Sequence, residues 1–168
     1  LPQDNLRKRV ERDRVPYDVW SREGFLDLPE GNVIDYAWIR AKINELAELY
    51  HIAEILYDRW NSTQLVLQLI DDGATMEPMG QGFADMTAPA KQLETLVVGR
   101  GLQHGGNPVL RSMASNVAVR QDPAGNLKPD KGASTERIDG IVALIMGIRS
   151  AMQHEGGSVY EQRGILVL

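Results

Sequence analysis

No cysteine occurs anywhere in the 168 residues, which excludes disulfides, thiolate catalysis and cysteine-ligated zinc. Histidine is nearly as scarce. His51, His104 and His154 are scattered without HExxH or His-x-His spacing, which argues against a histidine-rich zinc site. There is no G-x-x-x-x-G-K-[ST], hence no P-loop ATPase in this chain. No apolar run approaches the roughly 20 residues needed to span a bilayer, no secretory leader pattern opens the chain, and no membrane association is expected. Any metal here is therefore expected to be a hard cation held by oxygen.

What remains is the composition of a single globular domain. The chain is 43% hydrophobic and 24% charged, long enough for one full core and short for two. Its net charge of −5 argues against coating nucleic acid by bulk electrostatics, yet leaves room for a local basic track. Basic residues cluster at Arg7-Lys8-Arg9 with Arg12 and Arg14, and again at Lys128, Lys131 and Arg137. Both clusters also fit a solvated surface.

The pattern of elements is α/β. The stretch up to Pro29 reads as charged and irregular. Asn32 is a plausible cap for a helix with apolar positions Tyr36, Ile39, Ile43, Leu46 and Tyr50. Ile52–Tyr57 reads as a buried strand, and Ser62–Ile70 as a helix apolar on most sides. Ala74–Pro78 is a short strand, and a helix from Thr87 to Val98 carries Pro89 near its start. Asn107-Pro108 opens a helix to about Ser115. The turn Asp122–Asn126 joins hairpin strands at Val117–Arg120 and Leu127–Pro129. A long helix over about Glu136–Gln153 carries the stripe Ile138, Ile141, Ile145, Ile148 and Met152. Ile165–Leu168 is either an added strand or a frayed end.

Two aspartates stand out in this frame. Asp58 follows the Ile52–Tyr57 strand, where open α/β sheets place their ligand crevices. Asp139 falls in the first turn of the last helix, about 100° from the Ile138 stripe, at the positive end of the helix dipole. Converging carboxylates repel unless compensated, and Mg²⁺ or Mn²⁺ between them would form a clamp for phosphoryl transfer. Each residue also fits a plainer role, Asp58 as a helix cap and Asp139 as a surface partner of the dipole. Asp35, Asp71, Asp72 and Asp85 read as caps or helix ends.

An ordered series of motifs then sharpens the reading. Val15–Trp20, Gly31–Tyr36, Ile55–Trp60, Gln81-Gly82 and Pro89–Glu94 are followed by His104–Val109, Asn116-Val117, Asn126–Lys131 and Arg137–Leu144. Together they resemble the nuclease domain of phage terminase large subunits of the HK97-like class, across nearly the whole chain.

The resemblance implies a ribonuclease H-like mixed sheet flanked by helices, in one domain spanning residues 1–168. It also implies a metal-dependent endonuclease that cuts concatemeric viral DNA during packaging in the host bacterial cytoplasm. Asp58 and Asp139 match two members of the family's acidic cluster, which binds two Mg²⁺ or Mn²⁺ ions. Lys128 and Lys131, just before the Asp139 helix, would either contact the double-stranded DNA backbone or stand as solvent-exposed lysines, while His104 and Asn107 match a motif without an assigned role, Asn107 reading first as a cap.

In the whole protein the resemblance implies an ATPase domain, the portal and the small terminase subunit as partners. Leu1-Pro2 looks like the end of a strand, with the fold's opening strands and a further metal-binding aspartate missing upstream. The alternative is a catalytically incomplete remnant of a prophage terminase that binds DNA or partners without cutting. Ser112 stands where the family pattern has tryptophan.

Overall fold

The computed structural model describes residues 1–59 and 63–155, and the Ile165–Leu168 expectation lies outside them. The charged opening is helical, not irregular. A 3-10 turn, Gln3–Asn5, leads into α1 (Leu6–Asp13) and α2 (Tyr17–Arg22). Leu1 and Pro2 do not form the end of a strand; the Leu1 amino group donates to the Asp27 carbonyl at 3.3 Å.

Three of the five cations in the first basic cluster are paired locally. Arg7 pairs with Glu11 at 3.0 Å, while Arg9 and Arg12 both turn to the buried carboxylate of Asp13. The Arg12 hydrogen bond holds the Asp13 carboxyl below its ordinary range. Charge patterning shows a basic run, but the acids that answer Arg7 and Arg9 sit one helical turn on and the one that answers Arg12 is the next residue.

α3 (Tyr36–Leu49) is capped by Asp35, whose Oδ1 accepts from the Ala37 amide at 2.9 Å. Asn32 is therefore not the cap. Its carbonyl instead accepts from Asn5 Nδ2 at 2.7 Å, tying the following loop to the chain's opening turn. β1 (Ile55–Tyr57) is shorter than the apolar run that announces it, and α4 (Thr63–Asp71) crosses over to β2 (Met76–Pro78). The two strands pair in parallel, with Leu56 opposite Glu77. Only Val66 and Leu69 of α4 are buried; Leu67 and Ile70 are exposed, so this helix is covered on one face rather than all round.

α5 (Phe83–Val98) starts a full turn before Thr87, and Pro89 lies inside it with its side chain buried. Proline marks a helix start because the first amides lack partners anyway. Here the buried ring outweighs that preference. α6 (Pro108–Asn116) begins as expected, with Asn107 Oδ1 accepting from the Leu110 amide at 3.0 Å. At the Ser112 site, α6 meets the core through its neighbours Leu110 and Met113.

β3 (Val119–Gln121) and β4 (Leu127–Pro129) form an antiparallel hairpin. Asp122 builds its turn, accepting from the amides of Ala124 and Asn126 and from Asn126 Nδ2, and these hydrogen bonds lower its pKa.

α7 (Asp139–Glu155) closes the fold. Ile138, Ile141, Ile145 and Ile148 are all buried, whereas Met152, at the end of the stripe, is exposed. The main core lies between α5 and α7: Met79 and Met86 meet Ile138, Ile141, Val142, Ile145 and Met146, with Leu56 of β1 packed against them. The architecture is thus mixed α/β, with two small sheets set against helices. No helix among the described residues is long and apolar enough to cross a membrane.

Candidate active site

β1 and its parallel partner deliver Asp58, half-buried, to the wall of a polar cavity of about 300 Å³. Met86 of α5 and Val142 of α7 supply its apolar floor, so the cavity sits on the edge of the main core. Its remaining walls come from the hairpin and the loop after it: Arg120, Lys128, Asp130, Lys131 and Gly132, with Gln81 from the turn before α5.

Each cation reaches this cavity differently. Lys128 Nζ donates to the Gln81 carbonyl at 3.1 Å and lies 5.4 Å from the centroid of the Phe83 ring. Its ammonium is therefore held in place, not trailing in solvent. Arg120, on the opposite hairpin strand, is exposed and pairs by backbone register with Lys128. Asp130 shapes the backbone next door. Its Oδ1 accepts from the Gly132 amide at 2.9 Å and the Ala133 amide at 3.2 Å, while its carbonyl takes the Ser134 hydroxyl.

Asp139 lies on a second cavity of about 240 Å³, lined also by Glu136, Arg137, Ile138 and Lys131. Lys131 belongs to both linings, and its Nζ lies 2.8 Å from Asp139 Oδ1. Asp139 is the first residue of α7, anchored by buried Ile138 before it. Gly140 behind it packs so closely that its amide donates to Met113 Sδ at 3.1 Å.

The two aspartates therefore occupy neighbouring cavities that meet at Lys131, and they do not line a single one. Among the described residues, no three His, Asp or Glu side chains gather closely enough to form a metal cluster by themselves. Asp58 lies five positions before Thr63, the first described residue of α4. His104 faces elsewhere. Its Nδ1 accepts from the Gly106 amide at 3.2 Å, and it borders an apolar cavity between α5, α6 and α7. Asn107 is spent on its cap.

Gln81, Arg120 and Asp130 were not singled out by sequence as site residues. Gln81 and Asp130 sit inside motifs of the ordered series, so a signal existed for them. Arg120 carries no such mark, because only strand pairing places it beside Lys128.

The family model for the terminase large subunit, endonuclease domain, matches residues 1–155. The chain belongs to this family. It is 39% identical over 165 residues to the terminase large subunit of Enterobacteria phage HK97, covering 97% of this chain and 32% of that protein. It is 28% identical over 151 residues to protein YmfN of Escherichia coli K12, covering 89% of this chain and 32% of the relative. The crystal structure of the HK97 bacteriophage large terminase superimposes with a TM-score of 0.82 at 38% identity. That match covers 89% of this chain and 32% of the solved one. The family member described here thus spans about a third of the length of its relatives, 32% in each comparison.

Proposed function

We propose that this chain is a ribonuclease H-like, divalent-metal-dependent endonuclease domain that cuts concatemeric phage DNA during genome packaging. The family match over residues 1–155 carries this reading. Double-stranded DNA is the substrate. The portal, the small terminase subunit and an ATPase domain are the partners of the whole protein, which works in the host bacterial cytoplasm.

Asp58 and Asp139 would hold the metal. The donor chemistry fits: the chain has no cysteine, neither cavity lining contains histidine, and both residues offer hard carboxylate oxygens. Mg²⁺ ordinarily binds through one or two carboxylates and keeps waters and substrate phosphates as its other ligands, so each aspartate, in its own cavity, offers the kind of donor such an ion takes. When bound, such ions lower the pKa of a water and offset charge developing on the scissile phosphate.

The chain's own residues do the positioning. Arg120, Lys128 and Lys131 present three cations around the Asp58 cavity, matching the charge of a phosphodiester backbone. Lys128 is preorganised by the Gln81 carbonyl, so little side-chain entropy remains to be lost when it meets DNA. Gln81 itself reaches the core, its Nε2 lying 3.5 Å from Met146 Sδ, which steadies that carbonyl.

Cleavage of supercoiled plasmid in Mg²⁺ or Mn²⁺ tests the proposal. Asp58→Asn and Asp139→Asn are each expected to slow cleavage by about a hundredfold or more. If either cuts as fast as the parent, its role as ligand is wrong. Salt-dependent DNA binding with no cleavage under any divalent ion would instead favour a binding module.

A further inference from the structure

We propose that Lys131 is an exchangeable counter-ion: it holds Asp139 until a divalent cation arrives, yields the carboxylate to that cation, and then turns to a DNA phosphate. The inference rests on the reading of Asp139 as a metal ligand. Three observations carry it.

The first is the contact itself. Lys131 Nζ lies 2.8 Å from Asp139 Oδ1, and the two side chains are 62% and 58% exposed. A pair this exposed is weak and solvent-screened, so a dication competing for the same carboxylate can displace it. A buried pair would resist, because separating it strands a charge in low dielectric.

The second is placement. Lys131 borders both the Asp139 cavity and the Asp58 cavity. Moving its ammonium from one to the other requires rotation of a flexible four-carbon side chain and no backbone change.

The third is the anchoring beneath it. Asp130 accepts from the amides of Gly132 and Ala133, and its carbonyl receives the Ser134 amide at 3.0 Å and hydroxyl at 2.6 Å. The Lys131 backbone is thus fixed while its side chain is exposed. Lys128 differs, since its ammonium is committed to the Gln81 carbonyl.

The consequence is thermodynamic coupling. Metal binding makes Lys131 available to DNA, and by linkage DNA binding strengthens metal binding. Lys131 acts here as a positioning residue for both.

Titration calorimetry with Mn²⁺ alone, on the full chain, tests this. Lys131→Gln is expected to bind Mn²⁺ roughly two- to fivefold more tightly than the parent, the range set by an exposed pair. A merely structural loss would weaken binding instead. In an Asp139→Asn background the same substitution should change nothing, because the contact is already gone. In Ca²⁺, Lys131→Gln should lower the salt slope of duplex DNA binding by about one, and in chelator it should leave the slope unchanged. Unchanged or weaker Mn²⁺ binding by Lys131→Gln, with binding lost in Asp139→Asn, would overturn the exchange and leave the metal reading intact. Full Mn²⁺ affinity in Asp139→Asn would overturn both.

Discussion

Thr87 and Leu127, 40 residues apart, exchange two hydrogen bonds. The Thr87 hydroxyl donates to the Leu127 carbonyl at 3.0 Å and accepts from the Leu127 amide at 3.2 Å. One hydroxyl thereby fastens β4 to α5, and with it the neighbouring Lys128 to the wall of the Asp58 cavity.

Thr87→Val keeps the shape but leaves both Leu127 backbone groups without that partner. We expect a loss of about 1–3 kcal/mol, the cost of stranding partly buried polar groups. Urea unfolding should show a lower midpoint with an unchanged slope. An unaltered midpoint would mean that the hairpin is held by its other contacts alone.

Asn107 offers a clean separation of cap from chemistry. Asn107→Ala should cost about 0.5–2 kcal/mol by removing the acceptor for the Leu110 amide, whereas Asn107→Ser should restore most of it. Plasmid cleavage measured well below the melting temperature should stay at the parent rate for both. A large drop in cleavage by the stable serine variant would reveal a catalytic role that the cap conceals.

Acid should loosen α3 from α4. The Asp72 carboxylate accepts from Arg40 Nε at 2.6 Å and from Asn44 Nδ2 at 2.8 Å, and these bonds lower its pKa from 3.8 to about 2. A depressed carboxylate contributes stability above its unfolded pKa, and that contribution is lost as pH falls from about 4 to about 2. The parent should therefore be more stable than Asp72→Asn at neutral pH, with the difference closing across that window. Denaturant melts at a series of pH values would show it; a difference independent of pH would point to packing instead of charge.

Arg120 and Lys128 should behave differently in DNA binding. Arg120→Ala, at an exposed position, is expected to weaken duplex binding uniformly across sequences and lower the salt slope by about one, with stability unchanged. Lys128→Met should lower the slope similarly but also lower the melting temperature, because the Gln81 carbonyl and Phe83 ring lose their partner. Filter binding at several salt concentrations, beside thermal melts, distinguishes the two.

Much of the scaffold was legible because its signals are local. The isoleucine stripe of α7 repeats at helical spacing and is buried from Ile138 to Ile148. Asn107-Pro108 carries both cap and first-turn proline, and Asp122–Asn126 carries its own turn acceptor. That legibility ends where two local signals compete or where a distant partner decides. Asn32 and Asp35 are both chemically able to cap α3, and only the bond from the Ala37 amide to Asp35 Oδ1 shows which of them does. Pro89 looked like a helix start because the gain from burying its ring inside α5 has no mark in the chain order. Leu67 and Ile70 looked buried because composition cannot say which faces of a helix find a neighbour.

The sequence by itself determined the absence of thiolate ligands, the order of the elements from α3 onward, and the placement of Asp58 and Asp139 at element ends. Those properties depend on residue type and short-range spacing. Only the tertiary structure decided that Lys128 is held by Gln81, that Arg120 stands beside it, and that Lys131 lies between two cavities against Asp139. These are relations among side chains from separate elements. Ladder register and packing of α5 against α7 set them, and neither is written in the spacing of residues along the chain.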